Sequence, residues 1–114
     1  PATLEMIADN IFSMSELAKS NGIKVILCSV LPVYDYPWKP GLNPAEKIVK
    51  LNEMIKNYAD SHKVFYLDYY SSMVNDQKGM KAEFSKDGVH PNKSGYEVMM
   101  DLCSQAIKIV LINK

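Results

Sequence analysis

Arginine is absent: all 13 cationic side chains are lysine, and 13 carboxylates balance them. That absence removes the side chain best suited to bidentate phosphate recognition. Zero net charge removes the electrostatic case for a nucleic acid or an anionic membrane partner. Cysteine is limited to Cys28, in an apolar run, and Cys103, on the apolar face of a C-terminal helical pattern. With no Cys-x-x-Cys spacing and only two histidines, neither a disulfide framework nor a metal-ligand set is indicated. Both thiols are expected as small buried hydrophobes. No apolar run is long enough for a membrane span, and no secretory-leader pattern is read near Pro1, so the compartment stays open. What is present is 47% hydrophobic residues over 114 positions, enough for one small folded domain rather than a disordered chain.

The apolar residues fall into alternating periods. Leu4, Ile7, Ala8, Ile11, Met14, Leu17 and Ala18 share one helix face, with Thr3 as N-cap and Asn21-Gly22 as a left-handed stop. Residues 23–30 form a nearly continuous apolar run, which suits a parallel strand covered by helices on both faces. Residues 44–61 predict a second helix, capped by Asn43, with Pro44 in its first turn and Ile48, Leu51, Ile55, Tyr58 and Ala59 inward. Its lysines and Glu53 read as a solvated face. A short strand is predicted over 64–68, where Asp68 fixes local backbone, and 69–74 reads as a brief helix or a turn. From Asn92 a final helix carries Tyr96, Met99, Met100, Cys103, Ala106, Ile107 and Val110 as a core stripe. Helix, strand, helix, strand, helix is an α/β order, and no domain boundary or repeat interrupts it.

Residues 31–43 connect the first strand to the second helix and carry Pro32, Pro37, Pro40, Tyr34, Tyr36 and Trp38. Ligands of open α/β sheets bind beyond the carboxyl ends of the strands. The connection therefore reads either as a pocket wall, with Tyr34 and Trp38 as candidate substrate-binding residues, or as a loop folding its own aromatics over the core.

Asp87-Gly88-Val89-His90-Pro91 is the stretch best suited to chemistry. A carboxylate three residues before an imidazole, with a permissive glycine between, allows a turn in which the carboxylate meets one ring nitrogen and leaves the other open. That is what a general base requires. The same residues also fit ordinary turn punctuation before a helix.

The longer run Lys86-Asp87-Gly88-Val89-His90-Pro91-Asn92-Lys93-Ser94-Gly95-Tyr96 resembles the last sequence block of the SGNH hydrolases, also called the GDSL lipase and esterase family. In that family D-G-x-H-P-N-x-x-G-Y supplies the Asp and His of a Ser-His-Asp triad. The resemblance implies an α/β fold, the C-terminal part of a three-layer α/β/α, flavodoxin-like arrangement with parallel strands between helices. It implies Asp87 and His90 as catalytic residues, no metal or organic cofactor, and an ester substrate carried on a carbohydrate, a lipid or a small molecule. Hydrolysis and acyl transfer to an alcohol both remain open.

The family's G-D-S and G-x-N-D blocks do not occur here. Ser13, Ser15, Ser29, Ser71, Ser72 and Ser85 lack the Gly-Asp context, and Asn75-Asp76 lacks the preceding glycine. The expectation is that residues 1–114 are the C-terminal portion of one hydrolase domain, inactive alone, with the nucleophile and oxyanion donors in a preceding segment. Two parallel strands with open edges are expected to pair with that segment or with another copy of the chain. The competing reading is a noncatalytic α/β fragment or interaction module. Upstream G-D-S and G-x-N-D blocks would decide for the hydrolase.

Overall fold

A computed structural model describes residues 2–112. Helix α1 (Leu4–Ser20) starts where Thr3 Oγ1 accepts a hydrogen bond from the Met6 N–H at 3.1 Å. It stops where Asn21, Gly22 and Ile23 donate back to the Ala18 and Lys19 carbonyls, with Gly22 at φ +73°. This is the stop expected of Asn21-Gly22, because only glycine enters that backbone region without steric cost.

Helix α2 (Pro44–His62) begins differently from the expectation. Asn43 lies in the left-handed region at φ 51° and its side chain makes no capping bond. A cap side chain needs extended backbone to reach the second or third N–H, and Asn43 does not have it. Pro44, lacking an N–H, already removes one of the donors a cap would satisfy.

The strands are shorter than the apolar runs. Strand β1 (Ile26–Cys28) pairs in parallel with β2 (Phe65–Leu67), with Leu27 opposite Tyr66. One residue beyond β1 the Ser29 N–H still donates to the Leu67 carbonyl at 3.0 Å, and then the ladder is handed to a side chain. Asn52, from α2, accepts from the Val30 N–H at 2.7 Å and donates to the Val30 carbonyl at 3.1 Å. An amide that donates and accepts at one residue satisfies the backbone as a strand would, so the apolar run leaves the sheet there.

On one face Leu27 and Tyr66 join Ala8, Leu51, Ile55 and Ala59 of α1 and α2, while Phe12 stacks on Tyr58 at 4.0 Å. The Tyr58 hydroxyl donates to Glu16, tying the two helices together at their solvent edge. On the other face α4 (Lys93–Ile112) packs against both strands, and Lys24 Nζ donates to the Val110 carbonyl at 3.0 Å. Parallel strands between helices give the α/β layering expected from the alternating periods.

Two core expectations change. Ala106 is buried and Met99, Cys103 and Val110 are half-buried, but Tyr96, Met100 and Ile107 are exposed. Cys28 is exposed as well. Two strands are narrower than the stripe that α4 presents, so part of its apolar face has no sheet beneath it. Among the described residues no helix is long and apolar enough to cross a membrane.

Between β2 and α4, a one-turn helix α3 (Tyr70–Met73) follows Asp68, whose Oδ1 accepts from the Ser71 N–H at 3.0 Å. Asn75 organises the next turn by accepting from the Gln77 and Gly79 N–H groups. Asn92 then caps α4 by accepting from the Gly95 N–H at 2.9 Å. Gly95 lies so close to the preceding loop that a Cβ there would stand 2.8 Å from the Phe84 carbonyl oxygen. Gly95→Ala is expected to lower unfolding stability by about 1–3 kcal/mol through this overpacking. A urea titration showing an unchanged midpoint would remove Gly95 from the seating of α4.

Candidate active site

The loop entering α4 is folded back on itself by bonds outside the Asp87–His90 pair. Asn92 N–H donates to the Phe84 carbonyl at 2.7 Å, Asn92 Nδ2 donates to the Glu83 carbonyl at 3.1 Å, and Ser85 bridges to Pro91 in antiparallel fashion. Gly88 turns the chain at φ +83°, a conformation that opposes any side chain there.

Within that turn Asp87 uses both carboxylate oxygens. Oδ1 accepts from the Val89 and His90 N–H groups, each at 2.8 Å, and Oδ2 stands 2.7 Å from His90 Nδ1. The imidazole bond, followed by the two backbone donors, holds the Asp87 carboxyl well below the usual carboxylate range. An ionised carboxylate only accepts, so Nδ1 carries the proton and Nε2 of the neutral ring is left as the basic nitrogen. The His90 side chain is 70% exposed, open to a reacting group.

The 31–43 connection reaches the same place. Asp35 shapes it by accepting from the Tyr36 N–H at 2.9 Å and from the Gly41 N–H. Pro32 and Val33 are buried, whereas Tyr34 and Trp38 are each 62% exposed, so the loop does not fold these aromatics over the core. The Trp38 ring centroid lies 5.8 Å from that of His90, and Tyr36 lies 5.5 Å from Trp38. Tyr34 stands elsewhere, on the wall of a cavity of about 350 Å³ shared with Tyr36, Pro37, Met80, Asp87 and Gly88. Of the two aromatic candidates, Trp38 is thus brought to the imidazole and Tyr34 to the carboxylate side.

Sequence reasoning missed Ser85 and Asp35. From sequence Ser85 is only a serine without the Gly-Asp context of the nucleophile, yet its hydroxyl contacts Asp87, Gly88 and the His90 carbonyl. Its position two residues before an Asp-Gly turn is the signal that could have found it. Among the described residues no serine hydroxyl is bonded to the His90 ring, and no group of three or more His, Cys, Asp or Glu side chains is placed to hold a metal ion. Ser29 instead accepts from the Tyr70 N–H at 2.9 Å.

The sequence profile of the GDSL-like lipase/acylhydrolase family matches residues 2–98. A Bacteroides fragilis protein assigned as an acylhydrolase superposes with a TM-score of 0.93 at 44% identity, over 97% of this chain and 54% of that one. A GDSL-like lipase of Bacteroides thetaiotaomicron superposes with a TM-score of 0.89, also at 44% identity, over 93% of this chain and 53% of that one. An acetylxylan esterase of Xylanibacter ruminicola is 31% identical over 94 residues, 80% of this chain and 18% of the esterase. The chain therefore spans about half the length of these solved relatives and less than a fifth of the esterase.

The depressed Asp87 carboxyl has a direct pH consequence. A group whose ionised form is favoured by folding contributes stability above the ordinary carboxylate range, and that contribution is lost as pH falls through the folded-state value. The Asp87 carboxyl ¹³C signal is expected to titrate well below the ordinary carboxylate range. In His90→Ala its midpoint should rise part of the way back, since the backbone donors remain. A midpoint in the ordinary range would contradict the bonded geometry.

Proposed function

Because this chain belongs to the GDSL-like lipase/acylhydrolase family, we propose that it carries the base and the orienting carboxylate of an esterase that acts through an acyl-enzyme. The supporting observation is the Asp87–His90 pair, joined at 2.7 Å with Nε2 left open. In this reading residues 1–114 are the C-terminal portion of one hydrolase domain. The nucleophilic serine and the oxyanion donors belong to polypeptide outside it. The apolar side chains left exposed on α4 support a further covering layer, from that polypeptide or from a second copy of the chain.

His90 Nε2 takes the serine proton as the serine oxygen attacks the acyl carbon. Asp87, ionised throughout, holds the ring in the tautomer with Nδ1 protonated and stabilises the imidazolium. The imidazolium then returns its proton to the departing alcohol, which leaves the acyl-enzyme. Water, deprotonated by the same nitrogen, attacks the acyl carbon and releases the acid. An alcohol in place of water would give acyl transfer by the same steps. His90 has to be reachable by the serine and by water in this cycle, and its 70% exposure supports that reading.

For the substrate, the relative named as an acetylxylan esterase favours an acyl ester on a carbohydrate. Trp38, exposed beside the imidazole, offers an aromatic face of the kind that stacks on a sugar ring, and Tyr34 extends the wall.

In polypeptide that also carries the serine, His90→Ala is expected to lower kcat on a short-chain aryl ester by roughly 10⁴-fold, with the fold retained by circular dichroism. Unchanged turnover would sink the assignment. Trp38→Ala should raise KM for an acetylated xylo-oligosaccharide by about 2- to 10-fold, the equivalent of one aromatic contact. An equal change on the aryl ester would mean that Trp38 does not read the carbohydrate.

A further inference from the structure

Ser85 has no task in the reaction above, yet it is 5% exposed and its hydroxyl sits inside the turn that carries the pair. Oγ accepts from the Gly88 N–H at 2.9 Å. It lies 2.8 Å from the His90 carbonyl oxygen and 3.2 Å from Asp87 Oδ1. One hydroxyl proton has two acceptors here, and the shorter distance favours the His90 carbonyl. Asp87 Oδ1 is the lesser branch and already holds two backbone N–H groups. A single buried oxygen thus accepts from residue 88 and donates to residue 90, closing the turn from within.

We propose that Ser85 is a positioning residue for the base, setting the His90 backbone so that Nδ1 meets Asp87 Oδ2. The catalytic meaning of this role rests on reading His90 as a general base; the geometric role does not. Without the hydroxyl, Gly88 N–H and the His90 carbonyl lose their shared partner, and the backbone of the turn gains freedom where Gly88 is intrinsically permissive. The Nδ1 to carboxylate bond then loosens, and the tautomer with the proton on Nε2 becomes populated. That tautomer cannot accept a proton at Nε2.

A packing role for Ser85 would alter stability while leaving the ring unchanged, so the ring is the readout. In ¹⁵N-labelled protein, held at a pH where the imidazole is neutral, His90 is identified among the two histidines by its loss in His90→Ala. The wild type is expected to show a protonated Nδ1 and an unprotonated Nε2. Ser85→Ala should draw the two nitrogen shifts together, and Ser85→Thr, which keeps the hydroxyl, should keep the wild-type pattern. Ring shifts unchanged in Ser85→Ala would overturn the proposal. So would identical displacement in both variants, or general loss of amide dispersion in Ser85→Ala, which would make the hydroxyl a requirement of the fold. In polypeptide carrying the serine, Ser85→Ala should lower kcat roughly 10- to 100-fold with KM unchanged, as expected for a misplaced catalytic group. A wild type without ester turnover would count against the esterase reading alone, since the ring spectra decide Ser85 without any substrate.

Discussion

The turn from Ser85 to Pro91 depends on one carboxylate doing two jobs at once. Asp87 Oδ1 gathers the backbone N–H groups of residues 89 and 90, and Oδ2 takes the imidazole of the same residue whose backbone Oδ1 holds. The side chain that orients the ring therefore also folds the loop that carries it. Such a device needs no distant element to bring carboxylate and imidazole together. It needs only a stable seat, and α4 provides one through the Asn92 cap and the close approach of Gly95 to Phe84.

Much of this was legible because it is local. Asp87, Gly88 and His90 lie within one turn, so their meeting follows from spacing and from the freedom of glycine. The α1 cap at Thr3 and the stop at Gly22 were legible for the same reason. Asn43 departs from the expected cap because the capping preference presumes an extended backbone, and the loop arriving from Gly41 delivers a left-handed one. The place of Ser85 before an Asp-Gly turn signals a local hydroxyl bond, but its burial inside that turn is set only by the folded loop. The choice between pocket wall and core cover for the aromatic loop required three-dimensional placement, since Trp38 and His90 are far apart in sequence.

Apolar periodicity measures how much surface an element asks to have covered, not how much this chain can cover. The stripe on α4 forms the helix face that its period predicts, and within this chain only part of it is covered. Ala106 finds the strands, whereas Met100 and Ile107 extend past their width. The same shortage leaves Cys28 exposed on β1 despite its apolar surroundings in sequence. Shared identity with relatives about twice as long fits this surplus of apolar surface.

Asn52 closes the end of β1 by gripping both backbone groups of Val30. The chain consequently leaves the sheet under the control of α2, and the loop carrying Trp38 departs from a point fixed to that helix. The aromatic wall and the Asp-His turn thus hang from different helices, α2 and α4, which meet the strands from opposite sides. The 5.8 Å between the Trp38 and His90 ring centroids spans two segments held by different helices. A shift of either helix on the strands would move one ring relative to the other.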